Sequence, residues 1–179
     1  IEMIIKHTMY ESEGTKLNNN EIKMEIRNAV TGIPTSKGVS KVTINNIDDK
    51  PGIASSIFLP LSEMGISVDV IVQTAGNDGK TNLSFTLNDN DLESCVNELM
   101  KNNVSKKEFI KTQSGLGKIS IVGTGIQNQP GYASRMFKTL SENKINIEMI
   151  TTSEIRITCI IKSSDLELAA KSLHKEFIV

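Results

Sequence analysis

The sequence predicts an α+β protein built from two copies of one small unit, each with an antiparallel sheet and helices on one face. The first observation is an internal repeat, because KPGIAS at residues 50–55 recurs as QPGYAS at residues 129–134. Residues 65–71 and 144–150, which follow the two copies, match in the same register. The second observation is that short runs of alternating apolar residues are separated by runs with helical spacing. A repeat of this length predicts two related structural units.

Composition excludes several classes of function. The chain has 179 residues, enough for one medium domain or two small ones. Hydrophobic residues make up 38% and charged residues 23%, as in a soluble globular protein. The net charge of -1 offers no basic excess for nucleic acid, and 4% aromatic residues without Trp leave few platforms for stacking bases. We therefore expect no nucleic-acid partner.

Cysteine, histidine and the N-terminal stretch indicate a cytoplasmic setting. Cys95 and Cys159 fall in apolar segments and are expected to be buried, reduced thiols. His7 and His174 have no spacing that suggests a metal site. The apolar stretch 1–5 is too short for a signal peptide or a membrane span, so no membrane partner is expected. Because the chain begins with Ile1, we expect a fragment or a processed product.

The first repeat contains strand, helix, strand, strand, helix and strand in that order. Residues 29–33 are predicted to form a short strand, residues 36–40 a turn and residues 41–47 the first strand of the repeat. A helix over 52–64 has Ile53, Ile57 and Leu61 at helical spacing. The later elements are strands at 68–73 and 82–87, a helix at 91–102 and a closing strand at 109–111. This order is that of the ferredoxin-like βαββαβ arrangement.

The second repeat reuses the plan but stops before an obvious last strand. A strand holds Ile119 and Ile121, a helix holds Ala133, Phe137 and Leu140, and strands follow at 145–149 and 155–161 before a helix over 166–177. A strand from residues 28–34 is expected to complete this sheet. The predicted organisation is a tail and linker at 1–27, a first domain at 28–114 and a second at 115–179, with a strand exchanged between the two domains.

The loop before the first helix has chemistry suited to a free amino acid. Pro51 favours the first position of a helix, and Gly52 allows a close backbone approach. The N–H groups at a helix start attract a carboxylate, while Asp49 offers the charge that an ammonium group needs. The alternative interpretation is a strand-to-helix turn with good capping chemistry. A dinucleotide site after Gly123 and Gly125 is disfavoured, because Asn128 stands where its third glycine should be.

Several segments resemble the paired ACT domains of bacterial aspartate kinase, also called aspartokinase. They are residues 48–58, 65–73, 118–125 and 145–157, and the run NIEMITTSEIRI at 146–157 is the most specific. The resemblance covers residues 28–179, and residues 1–16 resemble the tail of the kinase domain. The nucleotide- and aspartate-binding motifs of that domain are absent.

The resemblance implies a regulatory role. Aspartate kinase phosphorylates the side-chain carboxylate of L-aspartate with ATP, giving 4-phospho-L-aspartate. Its ACT region does no chemistry, but binds L-lysine, L-threonine or both and mediates feedback inhibition. The chain alone is expected to be non-catalytic and to need no cofactor, since ATP and Mg would bind the missing kinase domain. Expected partners are a second copy, in a homodimer through the ACT domains, and the full-length aspartate kinase subunit.

The resemblance also implies one effector site and a possible second one. The first would use the loop with Gln73, completed by two residues of a neighbouring ACT unit on a partner chain: Asp49, Lys50, Pro51, Gly52, Ile53, Ala54, Gln73, Asn146 and Ile147. The second would use the other loop: Asn128, Gln129, Pro130, Gly131, Tyr132, Ala133, Ser67, Val68 and Asp69. Ser67 replaces Asn146 and Asn128 replaces Asp49 in this second set, which weakens it, although Asp69 remains for a cationic side chain. The alternative for the second loop is that it only caps a helix.

Two other functions fit the same fold class. An acylphosphatase-like hydrolase would need an arginine in the phosphate-binding loop, and neither loop contains one, since Arg135 is predicted to lie inside a helix. A free-standing tandem ACT sensor is the other alternative, and the kinase-like residues 1–16 argue against it.

Overall fold

The computed structural model describes residues 3–5, 15–17, 30–76, 79–102, 106–126 and 130–178. The strands are β1 (Met3–Ile5), β2 (Thr15–Leu17), β3 (Thr35–Asp48), β4 (Val68–Ala75), β5 (Lys80–Asn88), β6 (Ile110–Val122), β7 (Met149–Ser153) and β8 (Arg156–Lys162). The helices are α1 (Ile53–Glu63), α2 (Leu92–Lys101), α3 (Tyr132–Glu142) and α4 (Leu166–Phe177). None of the helices in these ranges is long and apolar enough to cross a membrane.

The main sheet has six strands in the order β4-β5-β3-β6-β8-β7, and every neighbouring pair is antiparallel. Each half contains three strands and two helices from one repeat. The predicted α+β class, with two strand–helix repeats and antiparallel pairing, is confirmed. β1 and β2 form a separate antiparallel pair within the stretch predicted to be a tail and linker.

The two central strands, β3 and β6, serve both halves. The start of β6 pairs with the end of β3, for example Ile110 with Ile44, and so closes the first half. The end of β6 pairs with the start of β3, for example Ile119 with Thr35, and so closes the second half. Backbone bonds of Gly32 with Val122 (3.2 and 2.9 Å) and from Ser120 N–H to Pro34 O (3.0 Å) extend this pairing beyond β3. The boundary expected between residues 114 and 115 falls inside β6.

Three local predictions are wrong. Residues 36–40, predicted as a turn, belong to β3, because bulges near Gly38 (φ +72°) let the strand pass from one half to the other without turning. Residues 29–33 do not form a strand in their described part; only Gly32 makes an isolated bridge. The strand predicted at 145–149 begins at Met149, since residue 144 has a φ of +58° and Ile145 N–H bonds back to Leu140.

Two hydrophobic cores lie between the sheet and the helices, one in each half. A third, small core lies among strands of both halves; it contains Val39, Val70, Val72, Leu116, Met149 and Ile160. β4 and β7 both contribute to it although they are the two edge strands, which a flat six-stranded sheet would hold about 24 Å apart. The sheet therefore curls strongly, with its two edges approaching each other on the face away from the helices.

Candidate functional site

The first loop connects β3 to α1 and holds its backbone in a tight turn. Asp49 N–H donates to Gly79 O at 2.8 Å, and Ile53 N–H donates to Lys50 O at 3.2 Å. Gly52, the N-cap, has a φ of +90° and a ψ of −7°. A left-handed conformation is costly for residues with a Cβ. The backbone conformation at this position therefore favours glycine.

The start of α1 presents unused hydrogen-bond donors. No side chain caps the helix. The N–H groups of Gly52, Ala54 and Ser55 have no backbone acceptor within the part of the chain that the structure describes. Such donors carry the positive end of the helix dipole and favour a negatively charged group. The geometry therefore suits a carboxylate placed at the start of α1.

The two neighbouring aspartates, Asp48 and Asp49, differ in their ion pairing. Asp48 forms an ion pair with Lys80, and the hydrogen bond from Lys80 is the main reason that the pKa of Asp48 is lowered. Asp49 is exposed and has no ion pair among the described residues. Of these two carboxylates, Asp49 is therefore the one available to an ammonium group.

Gln73 lies on β4, the edge strand of the same half. Gln73 pairs with Leu83 of β5. Ile47 of β3 lies opposite Thr81 of β5, which pairs with Ala75. Gln73 is therefore two residues, about 7 Å, from the level of Ile47. The Gln73 side chain is exposed, and within the described ranges β4 pairs with β5 alone. The outer edge of β4 is thus open beside the first loop.

Asn146 and Ile147 lie in the connection between α3 and β7. Asn146 is exposed, and its Nδ2 donates to Glu148 Oε1 at 3.1 Å. Both residues line a cavity of about 450 Å³ with Phe137, Ser141, Lys144 and Ile145. No residue of the first loop lines this cavity, so a single chain does not bring the two parts of the predicted site together there.

The second loop is described from Pro130 onward; Asn128 and Gln129 lie outside the described residues. Gly131 repeats the conformation of Gly52, with a φ of +106°. The Arg135 guanidinium lies 5.7 Å from the centre of the Tyr132 ring and 4.7 Å from that of Phe177. Arg135 also donates from Nε to Glu176 Oε1 at 2.8 Å and from Nη2 to the backbone oxygen of Glu176 at 2.9 Å. This cluster joins the start of α3 to the end of α4.

Ser67, Val68 and Asp69, the other part of the possible second site, lie at the start of β4. Val68 packs against the first core, while Ser67 and Asp69 line a cavity of about 190 Å³ with Lys118. The Asp69 carboxylate is paired with Lys118 of β6. The carboxylate expected to remain for a cationic ligand is therefore already neutralised within the chain.

Sequence reasoning missed a polar cavity of about 480 Å³ between the halves. Asp69 and Lys118 line it together with the β7–β8 hairpin, which contributes Arg156 and several hydroxyl groups. Residues 151–156 attracted notice in the sequence only through family resemblance. Because the cavity exists only when the sheet curls, no local pattern predicted it.

Three features of the described residues bear on metal binding and nucleophilic chemistry. The described residues contain no group of three or more His, Cys, Asp or Glu side chains that could hold a metal ion. Burial raises the pKa of each cysteine thiol to about 12, which keeps it from acting as a nucleophile at neutral pH. Arg135 lies inside α3, outside the position that an acylphosphatase-like loop would need.

Comparisons with known proteins cover nearly the whole chain. The sequence profile of the ACT domain matches residues 42–102 and 119–177. The chain is similar to the aspartokinase of Pseudomonas aeruginosa, with 36% identity over 182 residues, which is 99% of this chain. It spans 43% of that relative, less than half of its length.

Two of the solved structures that resemble this chain match it in both sequence and shape. A crystal structure of aspartokinase alpha and beta subunits contains a chain with 34% identity and a TM-score of 0.75, covering 84% of this chain and 99% of that one. The ligand-free regulatory subunit of aspartate kinase from Thermus thermophilus gives 32% identity and a TM-score of 0.74, with 83% and 99% covered.

Proposed function

This chain belongs to the ACT domain family, among the regulatory regions of aspartokinases, and from that premise we propose that it senses L-lysine, L-threonine or both for an aspartate kinase. The kinase would transfer a phosphoryl group from ATP to the side-chain carboxylate of L-aspartate. ATP and Mg²⁺ would bind the kinase domain, and this chain would supply the feedback control.

The observation that carries the proposal is the start of α1. It combines unsatisfied N–H donors at Gly52, Ala54 and Ser55 with the unpaired carboxylate of Asp49. An α-amino acid carries a carboxylate and an ammonium group on one carbon atom, so its two charges match these two features. Lys50, Pro51 and Ile53 shape the remainder of the loop.

The site is completed by a second copy of the chain. Among the residues that the structure describes, no strand pairs with the outer edge of β4 or of β7. Ile71 on β4 and Ile150 on β7 occupy equivalent positions of the repeats, and their exposed fractions are 47% and 42%. Pairing β4 of one chain with β7 of another would bury both side chains and satisfy both edges. Asn146 and Ile147 of the partner would then lie beside Gln73 and the first loop.

We assign the effector to the first loop, giving one site per chain. The second loop has the same helix start, but Arg135 and Tyr132 tie it to α4, and Asp69 is paired with Lys118. Its role in this proposal is to hold the second half together. Coupling between effector binding and kinase activity would be of the usual size, about 1–3 kcal/mol.

Calorimetric titration of the chain with L-lysine and, separately, L-threonine tests the proposal. We expect saturable binding of at least one, at one ligand per chain, and about tenfold weaker binding by Gln73→Ala, which loses a polar contact to the ligand. Thr74→Ala, a change at the next exposed position of β4, is the matched control and should bind normally. If the wild-type chain forms a dimer but binds neither amino acid, the assigned function is refuted.

A further inference from the structure

A polar network links the predicted effector contact Asn146 to the opposite half of the molecule. Asn146 donates to Glu148 Oε1. The other carboxylate oxygen of Glu148, Oε2, lies 3.5 Å from Lys41 Nζ, and Lys41 Nζ also lies 3.5 Å from the Glu148 backbone oxygen. Lys41 belongs to β3, the central strand, and lies opposite Gln113 of β6. The connection thus spans 107 residues of sequence.

Glu148 is held firmly enough to position a neighbour. Its side chain is only 19% exposed, and its backbone N–H donates to Ile160 O at 2.8 Å. Hydrogen bonds from Asn146, then from Gln113, and the charge of Lys41 lower the pKa of Glu148. The carboxylate is consequently ionised at neutral pH and can only accept hydrogen bonds.

An acceptor-only neighbour fixes the direction of the Asn146 amide. The amide has one end that donates and one that accepts, and only the Nδ2 end can face an ionised carboxylate. The Oδ1 end then points elsewhere, and it has no hydrogen-bond partner among the described residues. An exposed asparagine would otherwise rotate and offer either end to a ligand.

We propose that Glu148, anchored by Lys41, is a positioning residue that turns the carbonyl oxygen of Asn146 toward the effector and so selects a ligand with a hydrogen-bond donor there. This inference rests on the proposed function. The selected group is an ammonium or a hydroxyl of a free amino acid. A ligand that offers only a carboxylate at this point meets no complementary group.

The first test is a double-mutant cycle on effector affinity, using Glu148→Gln and Asn146→Ala in the full chain. A glutamine side chain is nearly the same size as that of Glu148 but can present either an acceptor or a donor to Asn146, so the amide would lose its fixed direction. We expect Glu148→Gln to weaken binding about threefold to tenfold in the wild-type background and to have no effect in the Asn146→Ala background. Glu154→Gln, at an exposed carboxylate of the neighbouring hairpin, is the matched control and should change nothing.

The outcomes separate this inference from the function on which it rests. If no amino acid binds the wild type, the function fails; if Asn146→Ala binds normally, the site assignment fails. If Asn146→Ala weakens binding but Glu148→Gln does not, or weakens it equally in both backgrounds, the positioning role alone is overturned.

A second measurement needs no effector. The side-chain NH₂ signals of Asn146 in an ¹H–¹⁵N spectrum should move in Glu148→Gln and in Lys41→Met, and should stay in place in Glu154→Gln. Unchanged Asn146 signals in Glu148→Gln, in a folded protein, would overturn the proposal independently of any binding result.

Discussion

The glycines that precede α1 and α3 have similar backbone conformations but different surroundings. Gly52 and Gly131 have φ values of +90° and +106°, and neither helix has a side-chain cap. Around the second loop, Arg135 contacts Tyr132, Phe177 and Glu176. Ser56 stands where the second repeat has Arg135, and its hydroxyl donates to Ile53 O within α1. The repeats therefore share the helix start and differ in the side chains that surround it.

The largest difference between the loops should appear when the same change is made in both. We expect Gly52→Val to abolish detectable effector binding, because a β-branched residue is strained at this φ and adds bulk beside the helix-start donors. Gly131→Val should cost similar stability, about 1–2 kcal/mol, yet leave effector affinity close to normal. Calorimetric titration and denaturant unfolding of both variants measure the two effects. Equal loss of binding in the two variants would mean that the loops share one function.

The two edge strands, β4 and β7, should contribute equally to dimer formation. Ile71→Asp in the first half and Ile150→Asp in the second each place a charge in the proposed β4–β7 contact. We expect either change to weaken dimerisation about tenfold or more, since desolvating an unpaired carboxylate is costly. Leu59→Asp, at an exposed site on α1, is the control and should leave the dimer intact. Analytical ultracentrifugation over a concentration series measures the dissociation constant of the dimer. A wild-type chain that remains monomeric with effector present would contradict the proposed β4–β7 pairing.

The smallest expected effect concerns the cluster that is found around the second loop. Arg135→Ala removes two ring contacts and an ion pair, but Arg135 and Glu176 are 48% and 38% exposed, so solvent screens the pair. We expect the free energy of unfolding to fall by about 1 kcal/mol. Ser56→Ala, at the equivalent place in the first repeat, should cost less than about 0.5 kcal/mol. Denaturant unfolding compares the two, and a larger loss for Ser56→Ala would reverse the roles given to the loops.

Much of the fold could be predicted from local patterns. The helix predicted over 52–64 is α1, Ile53–Glu63, and that predicted over 91–102 is α2, Leu92–Lys101. Helical spacing of apolar residues and capping signals act over a few residues, which is why these predictions succeeded. The predicted turn at 36–40 failed because glycine and serine favour a turn locally, whereas pairing with both β5 and β6 holds this segment in β3.

The candidate site likewise has a part that the sequence predicted and a part that it did not. The first loop could be found because Asp49, Pro51 and Gly52 are adjacent in sequence. The contacts of Glu148 with Lys41 and of Arg135 with Glu176 could not, since they join residues 107 and 41 positions apart. Asp69 illustrates the consequence: the sequence left its carboxylate available to a ligand, and the fold paired it with Lys118.

The sequence by itself determined the duplication, the fold class and the chemistry of the helix-start loops, because each depends on short-range periodicity or on adjacent residue types. Only the tertiary structure decided that β3 and β6 are shared, that the sheet curls until both edge strands meet one small core, and that one loop is tied down while the other stays open. Those features depend on which distant side chains become neighbours once apolar surface is buried, and that choice is made by packing of the whole chain.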